Sequence, residues 1–178
     1  MTFTDLPTDW RLRALTDPTL TRDVVDLYST AGDRSRGALT LIICDHHDHF
    51  KGAIAIDLRD LIPDPTPGQA VRHRSRRRHP TIAAPTAIAP TSARPINKAA
   101  ALRPVIRPLQ VYPGGSLVLA LGRRGPSTTT VTDREWADAA TRVCRSLGVR
   151  LLGFYLASRD TVFLADLTTE AADLPIAA

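Results

Sequence analysis

At 178 residues the chain can bury one sizeable core, with or without a tail. Its formal charge of +5 and pI near 9.9 permit contact with nucleic acid or an acidic protein partner without demonstrating either. No apolar run reaches transmembrane length, and Met1–Arg13 is too polar and too acidic for a secretion signal, so the expectation is a soluble, cytoplasmic protein with no membrane contact.

Aromatic residues make up 5% of the chain against 43% hydrophobic, which leaves the core to Leu, Val, Ile and Ala. Cys44 and Cys144 lie within apolar runs and read as buried free thiols.

Met1–Thr16 reads as an arm that Leu6, Trp10, Leu12 and Leu15 could dock on the body. Asp17 followed by Pro18 signals an N-cap with Pro at the first helical position, opening a helix over Thr19–Tyr28 with Leu20, Val24, Leu27 and Tyr28 inward. Ala31–Gly37 reads as a polar turn. Ala38–Cys44 is a short apolar run with β-branched residues, hence a buried strand. Asp45–His49 is a polar turn, and Phe50–Leu58 returns as a second strand.

From Arg59 the composition changes to Pro, Ala and Thr, with the basic run Arg72–His79. Such a segment buries too little apolar surface to offset its ordering entropy, so residues 64–100 read as a disordered insertion. Ala99–Leu109 keeps part of a helix that Pro104 and Pro108 should break or shorten. Pro113–Gly115 turns into a strand over Ser116–Leu121.

The plainest helix follows. Thr132 and Glu135 suggest a capping box, and Trp136, Ala139, Ala140, Val143, Cys144 and Leu147 form one apolar face. Gly148 stands where a left-handed terminating residue is wanted. Leu151–Ala157 and Thr161–Ala165 then form a hairpin around Ser158–Asp160, and the tail 167–178 loses periodicity. One domain results, built from residues 1–63 and 101–166 around the insertion.

In this order of elements, a strand ending in a small polar loop, then Pro, Ser and Thr residues, an Asp and a long helix, the chain resembles the RadC-like JAB (MPN/JAMM) domain family. The resemblance implies an α/β (α+β) fold with a small mixed sheet flanked by helices, of JAB/MPN-like, cytidine-deaminase-like architecture. In that family the loop carries His-x-His-Pro, then a Ser and an Asp, and a Glu precedes the first strand. Laid on this sequence, the His positions fall on Ala120 and Gly122, the Ser on Thr130, the Asp on Asp133 and the Glu on Gly37 or next to it, where Ser35–Ala38 holds no acidic residue. Leu151-Leu152-Gly153-Phe154 stands where the family has Leu-Leu-Asp-His.

A JAMM hydrolase needs zinc on three protein ligands and a Glu to deprotonate the bound water. Ala120 and Gly122 offer no donor, so catalysis and a cofactor are not expected. Thr130 and Asp133 read as a loop hydroxyl and a helix N-terminal acid. The resemblance thus implies a degenerate member, a binding or adaptor module. RadC-like proteins are often labelled DNA-repair proteins, which does not establish such a role for this chain.

Two other readings stand beside it. Asp45, His46, His47 or His49, with or without Asp133, could form a relocated zinc site of a metal-dependent hydrolase. Alternatively, Arg72, Arg74, Arg76, Arg77 and Arg78 could neutralise phosphates of nucleic acid in a salt-sensitive way. Arg123 and Arg124 are further anion-binding candidates, on the loop that would face a substrate groove. Gly122–Gly125 lacks the Lys and the spacing of a P-loop.

Overall fold

A computed structural model describes residues 6–61 and 97–165. The basic candidates Arg72, Arg74, Arg76, Arg77 and Arg78, and the tail 167–178, lie outside the described residues.

Five strands form one mixed sheet in the order β2-β1-β3-β4-β5: β1 Ala38–Cys44, β2 Phe50–Asp57, β3 Ser116–Gly122, β4 Arg150–Ala157 and β5 Val162–Leu164. All neighbours are antiparallel except β3 and β4. That parallel pair needs a crossover, which helix α5 (Val131–Leu147) supplies. The other helices are α1 Pro18–Tyr28, α2 Ala31–Arg36, α3 Leu58–Leu61 and α4 Lys98–Ile106.

Alternation along the central strand sorts the core. Leu117, Leu119 and Leu121 of β3 face one side with Leu102, Ile106, Trp136, Ala140 and Val143 of α4 and α5. Val118 and Ala120 face the other side with Val24 and Val25 of α1, Leu15 and Trp10. The sheet is therefore covered on both faces, which explains why β1 and β3 read as continuous apolar runs rather than alternating ones.

The arm docks through Trp10 and Leu15, and Trp10 gathers Phe50 and Tyr28 at centroid distances of 5.0 and 6.4 Å. Leu12, expected to dock as well, is 76% exposed, because the single 3-10 turn Trp10–Leu12 points it away from its neighbours.

Several expectations need correction. Ala31–Arg36 is a helix, not a turn: Thr30 and Asp33 form a capping box at its start. It carries no apolar stripe because its buried side chain is Arg34. The box of α5 is Thr130 with Asp133, two residues earlier than Thr132 with Glu135; Glu135 pairs instead with Lys98 at 2.6 Å. Pro104 lies inside α4 without ending it, since Ala101, Leu102 and Ile106 are buried against the α5 side of the core; Pro108 belongs to the 3-10 turn Arg107–Val111 that follows. Helix α4 begins at Lys98, within the stretch 64–100 read as insertion.

Gly148 ends α5 at φ 67°, and Val149 N–H donates to Cys144 carbonyl at 2.9 Å, the wrapped C-terminus its position suggests.

Candidate anion-binding cleft

The carboxyl ends of β3 and β4, the parallel pair, open onto a cleft of about 590 Å³. Open sheets offer binding crevices at this end of parallel strands. Three elements wall it. Helix α2 gives Ala31, Arg34 and Ser35; the loop after β3 gives Arg123, Arg124 and Gly125; the β4–β5 turn gives Arg159 and Asp160.

The four arginines are not equivalent. Arg34 is 7% exposed and fully committed: Nε donates to Ser29 carbonyl at 2.8 Å, Nη1 to Ser158 carbonyl at 3.2 Å, and Nη2 to the Asp26 carboxylate at 2.6 Å. It locks α1, α2 and the β4–β5 turn together.

Arg123 is committed too. Nε donates to Asp133 Oδ1 at 2.8 Å and Nη2 approaches Oδ2 at 2.7 Å, while Nη1 and Nη2 reach the carbonyls of Pro126 and Thr128 at 2.9 and 2.8 Å. Arg124 and Arg159 remain at the rim. Both are exposed, Arg124 forms no ion pair among the described residues, and Arg159 lies 4.0 Å from an equally exposed Asp160.

Gly37 and Gly122, two of the positions on which the resemblance lays its metal site, lie at this same end of the sheet. Ala38 pairs with Gly122, and Gly122 carbonyl lies 4.0 Å from where a Cβ on Gly37 would stand. Their environments do not fit zinc. Gly37 terminates α2 at φ 85°, which strains any L side chain, a Glu included. A Cβ on Gly122 would meet the backbone of Arg34 at 3.3 and 3.4 Å, so no His enters there without moving α2. Ala120 is fully buried in the core facing α1.

Asp133, 1% exposed, accepts from Thr130 N–H and Thr130 Oγ1 at 2.8 Å each, in addition to Arg123. Oδ2 takes both Thr130 contacts and Arg123 Nη2, and Oδ1 takes Arg123 Nε, so the carboxylate is held by the helix cap and the guanidinium. The residues present do not suit a zinc ion.

The histidine turn lies at the opposite end of the sheet. Asp45 Oδ1 accepts from the backbone N–H groups of His47 and His49 at 2.9 Å, and Oδ2 meets Lys51 at 3.0 Å. Desolvation opposes ionisation of Asp45, but the His49 N–H, the Lys51 ammonium and the His47 N–H outweigh it and hold the carboxyl well below the usual carboxylate range. Asp45 is thus occupied by the turn it organises. Among the described residues no three His, Cys, Asp or Glu side chains are grouped to hold a metal ion.

The same turn anchors, through Asp48, a network with no local sequence signal. Asp48, 7% exposed and at φ 65°, accepts from Ser116 Oγ at 2.5 Å and from Arg150 Nη2. Its partners are 68 and 102 residues away. Cys44 touches the same network; burial pushes its thiol up to about 11, with the Ser116 hydrogen bond acting the other way. Cys144 is pushed up to about 11 by burial.

No helix among the described residues is long and apolar enough to cross a membrane. In comparison with known proteins, no family model, no curated protein and no solved structure matches this chain.

Proposed function

We propose that the chain is a non-catalytic binding module of degenerate RadC-like JAB type that engages the phosphate backbone of nucleic acid through the rim of its arginine cleft. The observation that carries the reading is the division of the cleft's cations: Arg34 and Arg123 are consumed internally, while Arg124 and Arg159 stand exposed at the mouth. The order helix, hairpin, helix, strand, helix, hairpin supports the JAB-like assignment.

The engagement of both Asp133 oxygens by Thr130 and Arg123 supports the non-catalytic part. The basic run Arg72–Arg78 would add sequence-independent phosphate contacts to the same function. Exposed cations contribute to such binding mainly through counterion release, so affinity should fall steeply with salt.

Fluorescence anisotropy with a labelled oligonucleotide across a salt series tests the reading. Replacing Arg124 and Arg159 by Ala should weaken binding and flatten the salt slope by about 0.9 per lost phosphate contact on duplex. Unchanged affinity and slope would sink the cleft assignment. Stoichiometric metal in dialysed protein, together with chelator-sensitive hydrolysis, would sink the non-catalytic one.

A further inference from the structure

Strand β2 is the long edge of the sheet, and among the described residues no strand pairs with its outer side. It holds no Pro, and its sequence Phe-Lys-Gly-Ala-Ile-Ala-Ile-Asp carries one Lys near one end and one Asp at the other. Ile54, at its centre, is 51% exposed. A bulge at Lys51, where the register steps from Ile43↔Gly52 to Cys44↔Phe50, confines the regular apolar edge to Gly52–Asp57, and such an edge templates pairing with another strand.

We infer that β2 pairs antiparallel with β2 of a second copy of this chain, about a two-fold axis through Ile54, joining the two sheets into one. The axis must be perpendicular to the sheet, so opposed residues share a face and the choice of register is limited. With Ile54 opposite its own counterpart, four features agree. The exposed Ile54 side chains cover each other on the face that carries Leu41 and Leu39. Ile56 of the second copy stands opposite Gly52, where a Cβ would meet nothing within 4 Å, and fills that space. Ala53 faces Ala55, two small residues.

Lys51, at the bulge that ends the regular stretch, comes near Asp57 of the second copy, bringing opposite charges together at both ends. Lys51 keeps two donors beyond its contact with Asp45, and Asp57 keeps its second oxygen beyond the one that caps Arg59 N–H. Shifting the axis to Ala53 sets Lys51 opposite Ala55 and Ile54 opposite Gly52; shifting it to Ala55 sets Asp57 opposite Ala53. Both lose the charge pairing. The interface is a single strand edge, so the dimer is weak and concentration-dependent.

Light scattering on the full chain should show a mass rising with concentration toward twice that of the chain, and Ile54→Lys should hold it at one. D57K should weaken the dimer. The register is read by cysteine substitution. Directly opposed residues have Cα atoms about 4.5–5.5 Å apart, within disulfide reach. I54C should therefore crosslink between chains under mild oxidation. A55C, opposite Ala53, should not. The native Cys44 and Cys144 are buried and do not compete.

A wild-type mass fixed at one chain across the concentration series would overturn the inference. So would A55C crosslinking as readily as I54C, a readout that stands even if I54K disturbs the fold.

Discussion

Arg123 holds Asp133 with two of its nitrogens, at 2.8 and 2.7 Å, and both side chains are largely removed from water. The pair joins the end of β3 to the first turn of α5, and the guanidinium's other contacts fix the loop between them. Removing one partner of such a pair leaves a buried charge uncompensated, which typically costs about 3–5 kcal/mol. R123A should lose stability on that scale in urea denaturation. The double variant R123A/D133A should lose less than the two single effects added, because the orphaned carboxylate goes with its partner. Additive losses would show that the two groups do not act as a unit.

Asp48 combines an unfavourable backbone with a favourable side chain. At φ 65° an L residue is strained by roughly 1–2 kcal/mol, while hydrogen bonds to a charged group contribute about 1.5–3 kcal/mol. D48A should therefore be clearly destabilised. D48G should be destabilised by about 1 kcal/mol less, since Gly relieves the backbone without restoring the bonds to Ser116 and Arg150. Thermal or urea melting of the two variants compares the terms, and equal losses would show that the backbone term is negligible.

Placing imidazoles at positions 120 and 122 should not create a metal site. The backbone of Arg34 lies against Gly122, and an added side chain forces α2 outward. G122A alone should cost about 1–3 kcal/mol, the range for overpacking a filled site. A120H/G122H should be less stable still and should retain no zinc after dialysis, as read by mass spectrometry. Stoichiometric zinc with a raised Tm would show that α2 moves cheaply.

The two thiols give a pH-dependent prediction. Both are held near 11 in the folded chain, against about 8.5 in an unfolded one. Folding thus favours the protonated form. Its contribution to stability is complete below about pH 8.5 and is lost as the pH rises through about 11. Neither cysteine should react with an alkylating agent at neutral pH, and both should react in denaturant. Rapid labelling of the folded chain would show that the core around them opens.

The sequence made visible whatever is written in neighbouring residues. The apolar face of α5, the runs of β1 and β3, Asp17 capping α1 and Gly148 closing α5 are all local patterns with a local physical cause. Helix α2 left its caps, Thr30 with Asp33 and Gly37, but no apolar stripe, because Arg34 fills its buried face and takes the Ser158 carbonyl from 124 residues away. The Asp48 network was hidden, since nothing near Asp48 announces Ser116 or Arg150. At α5 the local code was ambiguous: Thr132 with Glu135 and Thr130 with Asp133 both fit a capping box, and the buried contact with Arg123 goes with the second. Arg123 looked like a ligand-facing cation for the same reason. Sequence shows a charge but not the carboxylate and carbonyls already waiting for it.

The cleft divides its labour between residues that cannot change and residues that can. Arg34 is a rivet, tying three segments together from beneath, and Arg123 is a staple across the loop. Arg124 and Arg159 touch almost nothing that holds the chain in shape. Replacing just those two by Glu would turn the mouth from a basic rim to an acidic one while leaving every buried hydrogen bond in place. The charge of the rim can therefore be inverted without renegotiating the fold.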